Sequence, residues 1–170
     1  KTQKVTKGLL LYVMIQRPQT LFFLAIVAIS IMLAFSDTAY FEGQNETTTQ
    51  QVSVEYDETK LTAEEGSSSE ANTYLLSFIL AVAGLGLAGL VLYKNRKIQL
   101  LLASVNYLLI LGVIIMMYMY SLRINYFEGS GSQSFTFFAL LPISLLFFNF
   151  LAVRGIKKDE RLIRSMDRLR

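Results

Sequence analysis

The chain has 170 residues, 53% hydrophobic and 17% charged, with a net charge of +3 and a mean hydropathy of +0.44. Soluble domains carry about 25% charged residues, so the deficit points to lipid, and so slight a positive balance argues against nucleic-acid binding. Cysteine, histidine and tryptophan are absent, which excludes disulfides, thiolate zinc or iron–sulfur centres, histidine-ligated haem and His-dependent catalytic groups.

Crossing a bilayer core of about 30 Å takes about 20 largely apolar helical residues. Taken in chain order, four runs without Asp, Glu, Lys or Arg meet that description: 20–36, 73–93, 99–121 and 134–153. They predict an all-α fold, a four-helix transmembrane bundle. The segments between them are a cytoplasmic N-terminus (1–19), an acidic outer loop (37–72), a tight cytoplasmic turn (94–98), a second outer loop (122–133) and a basic cytoplasmic tail (154–170).

Charge sets the orientation. Lys1, Lys4, Lys7 and Arg17 precede the first run, Lys94, Arg96 and Lys97 sit in the turn, and seven more basic residues follow the fourth run. Fourteen of the sixteen Lys and Arg therefore lie on one side, with Lys60 and Arg123 on the other. Basic short loops stay in the cytoplasm, which places both termini inside a bacterial inner membrane and the nine acids of the first loop outside. A cleaved signal peptide is the competing reading of the N-terminus. No A-x-A-like cleavage pattern follows the first run, which disfavours it.

Within the first outer loop, Val52, Val54 and Tyr56 alternate with polar neighbours and predict a short strand over 50–56. The stretch 62–72 is rich in Glu, Ser and Gly and reads as flexible. Tyr40–Phe41 and Tyr126–Phe127 stand a few residues outside their runs, where an aromatic belt would sit. The two loops together suggest a small extracytoplasmic region, with a strand pair as its simplest form.

Inside the runs, Gly84, Gly86 and Gly89 match G-x-G-x-x-G only formally, because no strand precedes them. Ala81, Gly84 and Ala88 share one helical face with Gly86 and Gly89 alongside, a pattern that lets helices approach closely. Asn106 and Asn149 lie about 12 and 6 Å from the inner ends of their runs. Lipid cannot satisfy such amides, so they are expected to pair with each other, with Ser104 nearby. Pro142 is expected to kink the fourth run and to free the carbonyl of Phe138 one turn earlier. In the tail, Lys157, Lys158, Arg161, Arg164, Arg168 and Arg170 accompany Leu162, Met166 and Leu169 at helical spacing. That basic amphipathic pattern suits an anionic inner leaflet or a partner protein, and equally a solvated continuation of the fourth helix.

Two segments carry a family likeness: the start Met14-Ile15-Gln16-Arg17, and the end, where Lys157-Lys158-Asp159-Glu160, Arg164-Ser165 and Asp167-Arg168 match. Together they resemble an uncharacterised family of small four-span Bacteroidota membrane proteins. The resemblance implies an inner-membrane address and supplies no catalytic residue, metal or cofactor. Residues 1–13 precede the start it implies, which marks them as an extension to it. The expected function is that of a non-enzymatic accessory, scaffold or assembly subunit, with the bilayer and other membrane-protein subunits as partners. A small transporter, hinted at by Asn106, Asn149 and Pro142, is the alternative.

Overall fold

Each apolar run folds as a helix, because a backbone surrounded by apolar side chains must satisfy its own N–H and C=O groups. The computed structural model describes residues 18–45, 50–63, 66–122 and 131–167. Its helices are α1 (Pro18–Ala34), α2 (Thr73–Val91), α3 (Arg96–Leu122) and α4 (Leu141–Asp167), the last entered through a 3-10 turn at Phe137–Leu140. They pack in a ring, with α1 and α3 each flanked by α2 and α4. Phe23, Ile26, Ile79, Val82, Ile110, Val113 and Leu145 fill the interior. Three helical stretches, Thr73–Val91, Arg96–Leu122 and Phe137–Arg161, are long and apolar enough to cross a membrane. The expected first span is the exception: α1 has 17 residues, all of it apolar in character but only about 25 Å of helix.

The all-α expectation is corrected by a five-stranded antiparallel sheet. Its strands are β1 (Phe41–Asn45), β2 (Gln51–Val54), β3 (Glu58–Ala63), β4 (Gly66–Ala71) and β5 (Gly131–Phe135), in spatial order β4-β3-β2-β1-β5. The fold is therefore mixed α/β. The predicted alternation is present in β2, where Val52 and Val54 face the core opposite Gly43 and Phe41 of β1. Across β1, Phe41 meets Phe135 edge-on with ring centroids 4.9 Å apart. The stretch 62–72, expected to be flexible, instead supplies the end of β3 and all of β4, which pair from Glu58↔Ala71 to Ala63↔Gly66. Gly66 has φ 150°, a backbone conformation that suits a residue without a Cβ. Residues 123–130, including Tyr126 and Phe127, lie outside the described residues.

The sheet follows α1, precedes α2 and leads into α4, so it caps one end of the helix ring. The turn from α2 to α3 and the basic half of α4 lie at the other end. Around the ring the perimeter is apolar and open: Leu24, Leu101, Leu108 and Phe147 are 57–69% exposed.

Candidate functional site

The cap is joined to the helices through two tyrosines that the sequence placed in a loop. Tyr40 and Tyr56 are fully buried, with ring centroids 4.8 Å apart. The Tyr40 hydroxyl donates to the Met117 carbonyl at 3.2 Å, and the Tyr56 hydroxyl donates to the Phe138 carbonyl at 2.7 Å. Proline explains the second acceptor. Pro142 has no N–H to donate to the residue four positions earlier, so the Phe138 carbonyl is left free, as the sequence implies. In the structure it takes the Leu141 N–H of the 3-10 turn and the Tyr56 hydroxyl. Pro142 itself stands at the entry to α4 rather than in mid-span, so the expected kink becomes a change of helix type. Thr136 adds a third tie, its N–H to the Tyr40 carbonyl at 2.9 Å and its hydroxyl to the Ala39 carbonyl at 2.6 Å.

Asn72 fastens the cap to α2. It immediately precedes the helix yet caps none of its N–H groups with its side chain. Instead Nδ2 donates to the Glu55 carbonyl at 2.8 Å, and Oδ1 accepts from the Thr59 hydroxyl at 3.0 Å. The Asn72 N–H donates to the Asp57 carbonyl at 2.7 Å. Within the same turn, Lys60 bonds the buried Glu55 carboxylate at 2.8 Å and Glu58 at 2.9 Å. Lys60, the lone cation of residues 37–72, is thus paired with two acids of the cap.

These groups give the cap an alkaline limit. Burial raises the Tyr40 and Tyr56 hydroxyls well above the ordinary value of 10.0. Hydrogen bonds to Glu55 and then Glu58 raise Lys60 above 10.5. All three keep their protons in the folded state at a pH where the unfolded chain releases them. Their contribution is therefore complete below the unfolded values and declines as pH rises past them. Thermal midpoints in detergent should be level up to about pH 9 and fall above about pH 10. The slope should be shallower in a Tyr40→Phe, Tyr56→Phe double variant.

The second polar group lies inside the ring. Gln19, Gln99, Asn106 and Asn149 are each fully buried. The two asparagines stand out in the sequence as polar groups inside apolar runs. The two glutamines sit at the margins of their runs and do not, although Gln99, Ala103 and Asn106 share a 4-then-3 spacing that marks one helix face. The expected asparagine pair is not what forms. Asn149 Nδ2 donates to the Ala103 carbonyl at 2.9 Å, and neither amide atom of Asn106 has a partner among the described residues. Gln99 Nε2 donates to the Gly89 carbonyl at 2.9 Å, closing the α2–α3 turn. Gln19 Nε2 donates to Asp159 at 3.0 Å, drawing the start of α1 to the basic half of α4. Ser104 is exposed and bonds only Leu100 of its own helix, at 3.0 Å.

Unlike effects follow for the two asparagines. Asn106→Leu removes an amide with no partner and is expected to raise the thermal midpoint, because an unsatisfied buried amide costs about 1–3 kcal/mol. Asn149→Leu removes a bond and is expected to cost about 0.6–2 kcal/mol. Thermal unfolding of both variants in one detergent checks the pair.

The small residues of α2 separate into two faces. Gly86 and Gly89 are buried against α1, where an added Cβ would stand 2.9 Å from Val27 Cγ2 and 2.7 Å from Phe23 Cε1. Ala81 and Gly84 are exposed and Ala88 is half-buried. The close-packing face is therefore Val82, Gly86 and Gly89: of the five expected packing residues Gly86 and Gly89 meet α1, while Ala81 and Gly84 face outward. Six small residues in nine leave the helical phase ambiguous, so the packing face is not readable from their spacing.

The tail continues α4 as one helix to Asp167. Arg154, Lys157, Lys158 and Arg161 are exposed on it. Arg168 and Arg170 lie outside the described residues, as does the side chain of Arg164. Among the described residues no group of three or more His, Cys, Asp or Glu is placed to hold a metal ion.

A family model described as "Domain of unknown function (DUF4293)" matches residues 15–169. No curated protein matches the chain.

Proposed function

The chain belongs to this family, and from that membership we propose that it is a non-enzymatic multi-pass protein of a bacterial inner membrane, an accessory, scaffold or assembly subunit of a larger complex. In this reading α1 crosses with the three longer helices. Its start is tied to Asp159 on the basic half of α4, and Leu33 and Ala34 of its last turn are buried in the core. Charge orients the whole: the basic end faces the cytoplasm, with both termini, and the cap faces outward. The likeness of the two chain ends adds the Bacteroidota setting.

One observation carries the subunit reading. The sheet is bonded directly to helix carbonyls by Tyr40 and Tyr56, so it is a fixed platform rather than a loose loop. Across β2, β1 and β5 it presents a polar face of Glu42, Gln44, Gln51, Ser53, Ser132 and Ser134. A rigid, polar surface held at the bilayer boundary suits contact with another subunit. The apolar perimeter, with Leu101 63% and Leu108 69% exposed, suits lipid or neighbouring helices. The transporter alternative is weaker, because Ile110, Val113, Met117 and the tyrosine pair close the ring beneath the cap.

Affinity purification from gently solubilised membranes tests the proposal. A stoichiometric partner, lost on substitution of Glu42→Lys and Ser53→Lys, is the expected result. A solitary chain that conducts solute in proteoliposomes would overturn it.

A further inference from the structure

The outward face of α4 changes chemistry part-way along without changing direction. Phe150, Val153, Arg154, Lys157, Lys158 and Arg161 succeed one another at steps of three, one, three, one and three residues, which keeps them on one helical stripe. Together they line a concavity of about 440 Å³. The apolar half lies in the uncharged part of the membrane-length stretch Phe137–Arg161, and Phe150 is 52% exposed. The basic half begins one turn further on and runs from Arg154 to Arg161, about 10 Å of helix. That length is close to the depth of a headgroup layer, about 5–8 Å on each side of the hydrocarbon core.

The charge of this stripe is unbalanced. Arg154, Lys157, Lys158 and Arg161 are exposed, and the ion pairs among the described residues, Lys60 with Glu55 and with Glu58, do not include them. Asp159 is turned the other way, where it accepts the Gln19 amide. The helix thus turns Asp159 toward α1 and four cations toward the surroundings, with the half-buried Glu160 beside them in sequence. Four cations at headgroup depth, directly continuous with an exposed apolar groove, match a molecule that is anionic at one end and aliphatic at the other.

We propose that this stripe binds an anionic phospholipid of the cytoplasmic leaflet, with its phosphodiester among Arg154, Lys157, Lys158 and Arg161 and an acyl chain along Phe150 and Val153. The inference rests on the membrane reading given above. A soluble phosphate shares the anionic group but lacks the chain, so the apolar half of the groove favours the lipid. Bound there, the lipid screens the four cations and holds the basic half of α4 at the bilayer surface.

The full chain in mixed micelles of neutral detergent and phosphatidylcholine, titrated with phosphatidylglycerol and followed by thermal unfolding, tests this. Phosphatidylglycerol should raise the midpoint, and further phosphatidylcholine should not. Surface cations contribute about 1 kcal/mol each towards an anionic lipid, or about fivefold in affinity. The Lys157→Gln, Lys158→Gln variant should therefore need about 25-fold more phosphatidylglycerol for the same shift. Lys157→Arg, Lys158→Arg should restore the response, and Lys94→Gln, Lys97→Gln at the α2–α3 turn should leave it unchanged. Phe150→Asn should weaken the response to phosphatidylglycerol. An equal response in the Lys157/Lys158 variant overturns the site, and a shift reproduced by inorganic phosphate alone overturns the lipid assignment. Release of the unaltered chain from membranes by alkaline carbonate would instead overturn the membrane reading beneath it.

Discussion

Replacing Tyr56 by alanine is expected to destabilise the protein by about 3–5 kcal/mol, the cost of emptying a large aromatic site. The side chain is fully buried, stacks against Tyr40 and bonds the Phe138 carbonyl at 2.7 Å. Tyr56→Phe separates the ring from the hydroxyl. It should cost only about 0.5–1.5 kcal/mol, because one hydrogen bond is lost and the packing is kept. The two variants should also differ in kind. Alanine opens the joint between sheet and helices, so proteases should cut the 37–72 segment while the helices stay folded. Phenylalanine should leave the cap resistant. Thermal unfolding in detergent and limited proteolysis read the two effects apart. Equal, small losses for both variants would mean that the cap stands without its tyrosine anchor.

Gly89→Leu is the second large effect. The glycine sits where α2 crosses Phe23 of α1, and even a Cβ would approach the ring to 2.7 Å. Phe23 is itself fully buried, so the ring has no free side to move into. A leucine must force the helices apart, and overpacking of this kind costs about 1–3 kcal/mol or more. The same separation would pull the Gly89 carbonyl from Gln99, whose amide it accepts at 2.9 Å. Gly84→Leu is the control on the same helix. A Cβ there meets nothing within 4 Å, so a leucine should change stability by less than about 0.5 kcal/mol. The reverse order of severity would restore the face read from sequence.

The contrast between those glycines shows where sequence reading stops. Long uncharged runs identify helices because a backbone among apolar side chains must satisfy its own N–H and C=O groups. Which face of α2 packs is another matter, since small residues at 81, 83, 84, 86, 88 and 89 satisfy several helical phases at once. Only the position of Phe23 and Val27 on α1 decides between them. The cap was half legible. Val52, Val54 and Tyr56 alternate, and their strand was read. By contrast, β4 is Gly-Ser-Ser-Ser-Glu-Ala, exposed along its whole length and poor in β-formers. It is held by its hairpin ladder to β3 and by Asn72 at its end, pairings between strands that the composition of β4 itself does not record.

The buried polar groups teach the same point in chemical terms. A proline deletes one donor, so the free carbonyl at Phe138 followed from covalent structure alone. Its acceptor role for Tyr56 did not, because Tyr56 is 82 residues away in sequence. Asn106 and Asn149 were recognised as costly, yet depth along two helices fixes height and not rotation. Rotation gives Asn149 the Ala103 carbonyl and leaves Asn106 without a partner among the described residues. Gln19 and Gln99 escaped notice because residues at the ends of apolar runs are ordinarily solvated.

Labelling from the two sides of the membrane tests the central claim most directly, and the natural chain, which holds no cysteine, is already the background it needs. Ser68→Cys lies on the exposed edge strand of the cap and Lys158→Cys on the basic half of α4. With a membrane-impermeant maleimide applied to spheroplasts, Ser68→Cys should label at once, and Lys158→Cys only after the inner membrane is permeabilised. Labelling of both positions from the same side would contradict the account.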